Sequence, residues 1–321
     1  MRTNSLKAFI NDQKILLFII VICIGMFIKM PSFLGFENIL NIFNRISIEG
    51  VMVIGMTYLI ILGDIDLSVG AVMALSCTLS VIFQAYGVIP GVIAGILIGS
   101  LIGLINGLIV VLLRVHSLAV TLGMFVLIRG VVYVITKSLA SAGGNYSLAG
   151  KNESFKYITE ISILGVPSLI WILIILIIFF SFILTRTVYG RNIYATGGNR
   201  LASQYANIPV NLIRISVFVI TGMLAGIAGV LLVSKYNIAS YLLGDDTAIV
   251  VITAVMLGGV SLSGGEGSVL KAFQGLLLIG VIDNMMVQLR IYSSVKLMIL
   301  GLLLIIILSF DGVYIRKAKY Q

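Results

Sequence analysis

Ten long apolar runs, separated by short polar stretches, govern what this 321-residue chain can become. They fall at 15–30, 40–62, 68–86, 89–113, 117–136, 167–185, 213–234, 247–260, 268–289 and 294–310. A backbone that crosses lipid must satisfy its own hydrogen bonds, which leaves only helices or closed barrels. The runs are continuous rather than alternating, and most approach the roughly 20 residues a bilayer requires, so they read as membrane helices. Composition agrees, with 60% of residues hydrophobic and 10% charged, against about 25% charged in soluble domains. That balance excludes a water-soluble domain, a disordered chain and a disulfide-stapled scaffold. The expected fold class is all-α: a polytopic bundle of about ten transmembrane helices. It would form one membrane domain over 15–310, between an N-terminal segment (1–14) and a tail (311–321). The first run lacks a small-residue cleavage site and reads as a retained helix.

The formal charge is +9. The cations sit between apolar runs and at the termini rather than on one face, so nucleic acid is not an expected partner. With the N-terminus inside, twelve lysines and arginines fall in the cytoplasm and eight outside, Arg129 standing within a helix. The positive-inside rule then puts both termini in the cytoplasm. Arg186, Arg191 and Arg200 mark the segment 186–212 as the main surface turned to the cell interior. Residues 137–166, carrying Lys151, Glu153, Lys156 and Glu160, read as an external loop.

The strongest local signal is Gly63-Asp64-Ile65-Asp66-Leu67-Ser68-Val69-Gly70, between the second and third runs. Carboxylates beside membrane-depth helices are costly unless they face water, a cavity or a partner. Two readings stand: a surface loop in which Ser or Asp caps the next helix, or a helix break lining a transport path. Asp283-Asn284, Asn106 and Arg129 lie inside apolar runs and divide between interhelical bonding and a place on such a path.

Leu257-Gly258-Gly259-Val260-Ser261-Leu262-Ser263-Gly264-Gly265 echoes Leu62 to Gly70 and hints at an internal repeat. Its end also looks like the signature loop of ATP-binding cassette ATPases. No phosphate-cradling Gly-x-x-x-x-Gly-Lys-[Ser/Thr] accompanies it, so it reads as a Gly-rich turn and the chain is not expected to hydrolyse ATP. Hydrolase and zinc-protease motifs are missing too, and His116 stands alone beside Arg114 in a short turn. Cys23 and Cys77 read as free buried thiols; neither a metal nor a cofactor is expected. Further along, Gly197-Gly198-Asn199 reads as a turn that caps a short helix, stopped at Asn207 and Pro209. Such a helix could lie on anionic lipid or serve as a peg for a partner's groove.

Together these blocks resemble the membrane permease subunits of ribose-type ABC sugar importers. The resemblance rests on Asp64-Ile65-Asp66-Leu67-Ser68-Val69-Gly70 and on Gly190-Arg191-Asn192-Ile193-Tyr194-Ala195 with Gly197-Gly198-Asn199. It rests also on Gly222-Met223-Leu224-Ala225-Gly226-Ile227-Ala228-Gly229 and on Leu257-Gly258-Gly259-Val260-Ser261-Leu262, in order along nearly the whole chain. It implies a bacterial plasma-membrane protein with a second permease subunit, a cytoplasmic ABC ATPase and an extracytoplasmic sugar-binding protein. By that resemblance 186–212 couples to the ATPase through Arg191, Gly197, Gly198, Asn199, Ala202 and Asn207. Asp64, Asp66 and Ser68 match the block that family members place near the pathway, and Asn106, Asp283 and Asn284 are further pathway candidates. Two positions depart from the family pattern. Asn207 replaces a usual Gly, and Asn tolerates the left-handed conformation. Val250 stands where an Asp is common, while Asp245 and Asp246 lie a few residues earlier. Autoinducer-2 is an alternative cargo within the family, and a proton-coupled transporter using Asp64, Asp66 or Asp283 is the rival class.

Overall fold

A computed structural model describes residues 13–139 and 146–291, with 295, 298, 299, 301, 302 and 305 beyond them. The segment 1–12, the tail 311–321 and most of the tenth run lie outside the described residues. Helices dominate: α1 (Lys14–Lys29), α2 (Phe36–Ile61), α3 (Val69–Phe83), α4 (Val88–Leu112), α5 (Ser117–Leu139), α6 (Ser168–Arg186), α7 (Val188–Gly198), α8 (Arg200–Tyr205), α9 (Val210–Tyr236), α10 (Thr247–Leu257) and α11 (Val269–Gln288). Among the described residues, seven helices are long and apolar enough to cross a membrane. Two of the predicted runs form shorter helices, 16 residues in α1 and 11 in α10.

The sheet content is two small ribbons that the apolar pattern does not foretell. Strand β1 (Ser147–Ala149) pairs antiparallel with β4 (Ile238–Ser240), and β2 (Ser162–Ile163) with β3 (Val166–Pro167). Asn237 ends α9 at φ 52° and clips the first ribbon in place, accepting at its carbonyl from the Gly150 N–H at 2.8 Å.

Helix α2 is the axis of the bundle. Every residue from Val51 to Ile61 is buried, which requires neighbours on all sides. Tyr58 Oη donates to the Phe180 carbonyl at 2.5 Å and ties α2 to α6. Between α4 and α9 the backbones come closer still. A Cβ on Gly99 of α4 would lie 2.3 Å from the Gly222 carbonyl oxygen, and one on Gly222 would lie 2.2 Å from that of Gly99. With no hydrophobic force between helices in lipid, such backbone-to-backbone packing is a main source of association. By contrast α5 leaves Leu122, Val126, Leu127 and Val134 exposed, an apolar outer surface suited to acyl chains. Cys77 is fully buried, whereas Cys23 is only half-buried, a correction to the expectation of two buried thiols.

Candidate functional site

Two breaks in the helical pattern meet inside the bundle. Helix α10, with 11 residues, does not reach as far as its neighbours, and α3 starts only after the break at 62–68. The loop before α10 dips inward: Arg129, about half-way along α5, pairs with Asp245 and donates to the Tyr241 carbonyl. At its tip Gly244 lies against the first turn of α3, where a Cβ on Gly70 would fall 2.2 Å from the Gly244 carbonyl oxygen. The N-termini of α3 and α10 therefore approach each other within the protein. Partial positive charge gathers at such ends, and broken helices arranged this way mark binding sites in transporters.

Below the start of α3, Asp66 is 1% exposed. Its Oδ1 accepts from the Ser68 N–H at 2.7 Å and from the Ser68 hydroxyl, and Asn106 Nδ2 donates to Ser68 Oγ at 3.0 Å. Asp66, Ser68 and Asn106 thus form one buried chain joining the break to α4. The Asn106 carbonyl oxygen is buried and has no hydrogen-bond partner among the described residues. The Asp66 carboxylate therefore holds the residue that starts α3 from within the protein, not from a surface loop.

Asp64 has a different setting. Arg214 of α9 grips it through two bonds of 2.9 Å, and Arg200 of α8 adds a third contact at 3.1 Å. Arg200 also donates to the carbonyls of Leu62 and Gly63. With its side chain 4% exposed, this carboxylate links the α2–α3 break to the peg formed by α7 and α8. It borders a cavity of about 630 Å³ that also touches Arg114, His116, Ser117 and Gln204.

The peg is built as its sequence directs. Thr187 caps α7 by accepting from the Gly190 N–H, and Asn199 caps α8 by accepting from the Ala202 N–H at 3.0 Å. Asn207 takes φ 59°, the left-handed turn before Pro209. Gly197 is the seat: a Cβ there would lie 1.8 Å from the Ile61 carbonyl oxygen. Above it the Gly265 N–H donates to that same carbonyl at 2.7 Å. The two echoing segments, 62–70 and 257–265, therefore converge on the peg. Tyr194 Oη donates to the Gly267 carbonyl at 2.7 Å, and Tyr189 Oη lies 2.6 Å from Ser216 Oγ. Burial pushes both phenols up. Arg191, Gly198, Asn199, Ala202 and Asn207 are exposed, as are Leu201 and Tyr205, an apolar i, i+4 pair on the free face of α8.

At the opposite end of the bundle a cavity of about 590 Å³ opens between α2, α3, α9 and the dipping loop. Asn41, Asn44, Arg45, Glu49, Lys235 and Thr247 supply its polar lining. Lys235 Nζ donates to the Asn44 carbonyl at 3.0 Å, and Arg45 forms a 2.5 Å ion pair with Asp283. Asp283 is thus joined to the cavity rim through Arg45. Asn284 is not: it exchanges two bonds, of 3.1 and 3.0 Å, with Asn38 and holds α11 to the start of α2. The sequence reading missed Asn41, Asn44, Glu49 and Lys235. The signal of the first three was legible in the spacing Asn41, Asn44, Arg45, Ile48, Glu49, Met52, which is one face of a helix.

Helices of lipid-crossing length, two helix starts meeting inside the protein, cavities at both ends and a helical peg beyond one end define a membrane transport permease. The chain belongs to the family described as branched-chain amino acid transport system / permease component, whose model matches residues 38–308. It is 34% identical over 301 residues to the L-arabinose transport system permease protein AraH of Escherichia coli (strain K12), covering 93% of this chain and 89% of that one. It is likewise 34% identical to the ribose import permease protein RbsC of Bacillus subtilis (strain 168), over 92% of this chain and 90% of that one. The L-arabinose ABC transporter permease protein AraH of Azospirillum brasilense is 31% identical, over 94% and 88% respectively. No solved structure matches the chain significantly. The protein is a multi-pass permease of the bacterial inner membrane.

Proposed function

We propose that the chain is the permease subunit of an ABC importer for a monosaccharide, of the pentose class that its relatives' names carry. The observation that supports coupling to an ATPase is the peg. It is seated rigidly through Gly197, tied by Arg200 to the α2–α3 break, and presents Leu201 and Tyr205 outward. In this reading both termini are cytoplasmic and 15–310 is one domain. A second permease subunit and an extracytoplasmic sugar-binding protein complete the assembly.

Sugar released by the binding protein enters the cavity at the far end. Asn41, Asn44, Glu49 and Lys235 offer donors and acceptors to its hydroxyls, and the meeting N-termini of α3 and α10 favour electron-rich oxygens deeper in. The Asp66–Ser68–Asn106 chain holds the start of α3 while the cavity opens alternately to either side. ATP closes the partner dimer, the peg shifts, and Asp64 carries that shift to the break through Arg200 and Arg214. Arg191, Gly198, Asn199, Ala202 and Asn207 complete the docking surface. The relatives give no support to autoinducer-2 as cargo.

Uptake of labelled L-arabinose and D-ribose by cells lacking other pentose importers, but expressing this chain with its ATPase and binding protein, tests the cargo. Uptake of one of them, reduced at least tenfold by Lys235→Ala at equal protein level, is expected. Uptake of autoinducer-2 alone, or pentose uptake indifferent to Lys235→Ala and Glu49→Gln, contradicts the reading.

A further inference from the structure

The cavity beside the peg gathers Arg114, Arg200 and Arg214 around a single carboxylate, Asp64. Three cations less one anion leave a formal +2 in a pocket of about 630 Å³. Arg200 and Arg214 are engaged with Asp64 and with the carbonyls of Leu62 and Gly63. Arg114 has no ion pair or hydrogen bond from its side chain among the described residues. It stands in the α4–α5 turn at φ 54°. His116, Ser117, Gln204 and Asn211 add neutral polar groups to the same wall.

One wall of this pocket belongs to the peg, but the other, the α4–α5 turn, is edged with apolar side chains. Leu112 and Leu113 are 69% and 67% exposed, and Val115 and Leu118 are exposed too. In a chain whose helices cross lipid, these side chains belong among acyl chains, so the pocket's mouth lies where acyl chains give way to headgroups. Basic pockets between helices at that level select anionic phospholipids.

We infer that this cavity is a phosphate site occupied by the headgroup of an anionic phospholipid, with Arg114 as its free cation and an apolar rim at Val115, next to the exposed Leu112 and Leu113, against an acyl chain. A soluble phosphate ester shares the headgroup chemistry but makes no use of that rim. The inference rests on the reading that the peg end faces the cytoplasm. Its test needs neither ATPase nor sugar, so it can fail while the transport reading stands.

The test is the melting temperature of the purified full chain in neutral detergent, with phosphatidylglycerol, phosphatidylcholine or millimolar inorganic phosphate added. Phosphatidylglycerol is expected to raise it about 3 °C more than phosphatidylcholine. Arg114→Gln should abolish that difference. Arg186→Gln, an equal loss of charge at the same end but outside the cavity, should keep it. Gln204→Glu places a repelling charge in the pocket, should also abolish the gain, and carries the test if Arg114→Gln does not fold. An Arg114-dependent gain from inorganic phosphate equal to that from the lipid overturns the lipid assignment. A lipid gain that survives both pocket variants, or is lost equally in Arg186→Gln, overturns the site.

Discussion

Gly197→Val is expected to abolish ATP-driven uptake while the adjacent Gly198→Ala leaves it near wild type. A Cβ at position 197 would sit 1.8 Å from the Ile61 carbonyl oxygen and 2.8 Å from the Gly265 nitrogen, both backbone atoms that cannot rotate away. At Gly198 nothing lies within 4 Å of the added carbon. Overpacking of this kind costs about 1–3 kcal/mol or more, and here the strain falls where the peg meets the two inner turns. The variant should insert normally but bind its ATPase at least tenfold more weakly in a pull-down. Leu201→Ala with Tyr205→Ala should weaken the same binding without altering the melting temperature, because both side chains are exposed. A bulky group at Gly198, such as Trp, acts only through the docked partner and leaves the isolated permease unaffected. Wild-type ATPase binding by Gly197→Val would remove the peg from the mechanism.

The second large effect is at Asp64. Its pair with Arg214 is mostly buried, with side chains 4% and 13% exposed. Breaking such a pair from one side strands the other charge and costs about 3–5 kcal/mol. Asp64→Asn should therefore lower the melting temperature strongly. Asp64→Asn with Arg214→Gln should recover part of the loss, with a coupling of about 2 kcal/mol in a double-mutant cycle. The single variant should also keep basal ATPase binding yet lose most transport, since the peg would still dock but no longer pull the break. Additive effects, or a double variant no better than Asp64→Asn alone, would show that the two residues are not coupled.

The elements most visible in the sequence were those set by local chemistry. Continuous apolar runs specified the helices, Asn199 and Asn207 specified the caps of the peg, and Gly264-Gly265 read as a turn rather than a nucleotide loop. What escaped was non-local. Nothing near Asp64 announces a partner 150 residues away on α9, and the pairing of Asp283 with Arg45 is equally remote. The brevity of α10 was hidden because the apolar pattern runs on through Gly258 and Val260, although the helix stops at Leu257. There a Cβ on Gly258 would meet the Lys271 carbonyl oxygen at 2.4 Å, so the chain turns to let α11 pack against it. The far-end cavity was visible only as a polar stripe on one helix. Its significance depended on Lys235 and Thr247 arriving from elsewhere.

The buried acids leave the energy source as the point on which the whole account turns. Asp64 is committed to two arginines, and Asp66 to the backbone and hydroxyl of Ser68, so neither is placed as a free proton carrier. Proteoliposomes containing the permease, its ATPase and its binding protein give the direct measurement, with labelled pentose uptake energised either by ATP or by an imposed proton gradient. The account predicts uptake with ATP only, lost when the ATPase is left out or when position 197 is Val. Uptake driven by the proton gradient without the ATPase would contradict it.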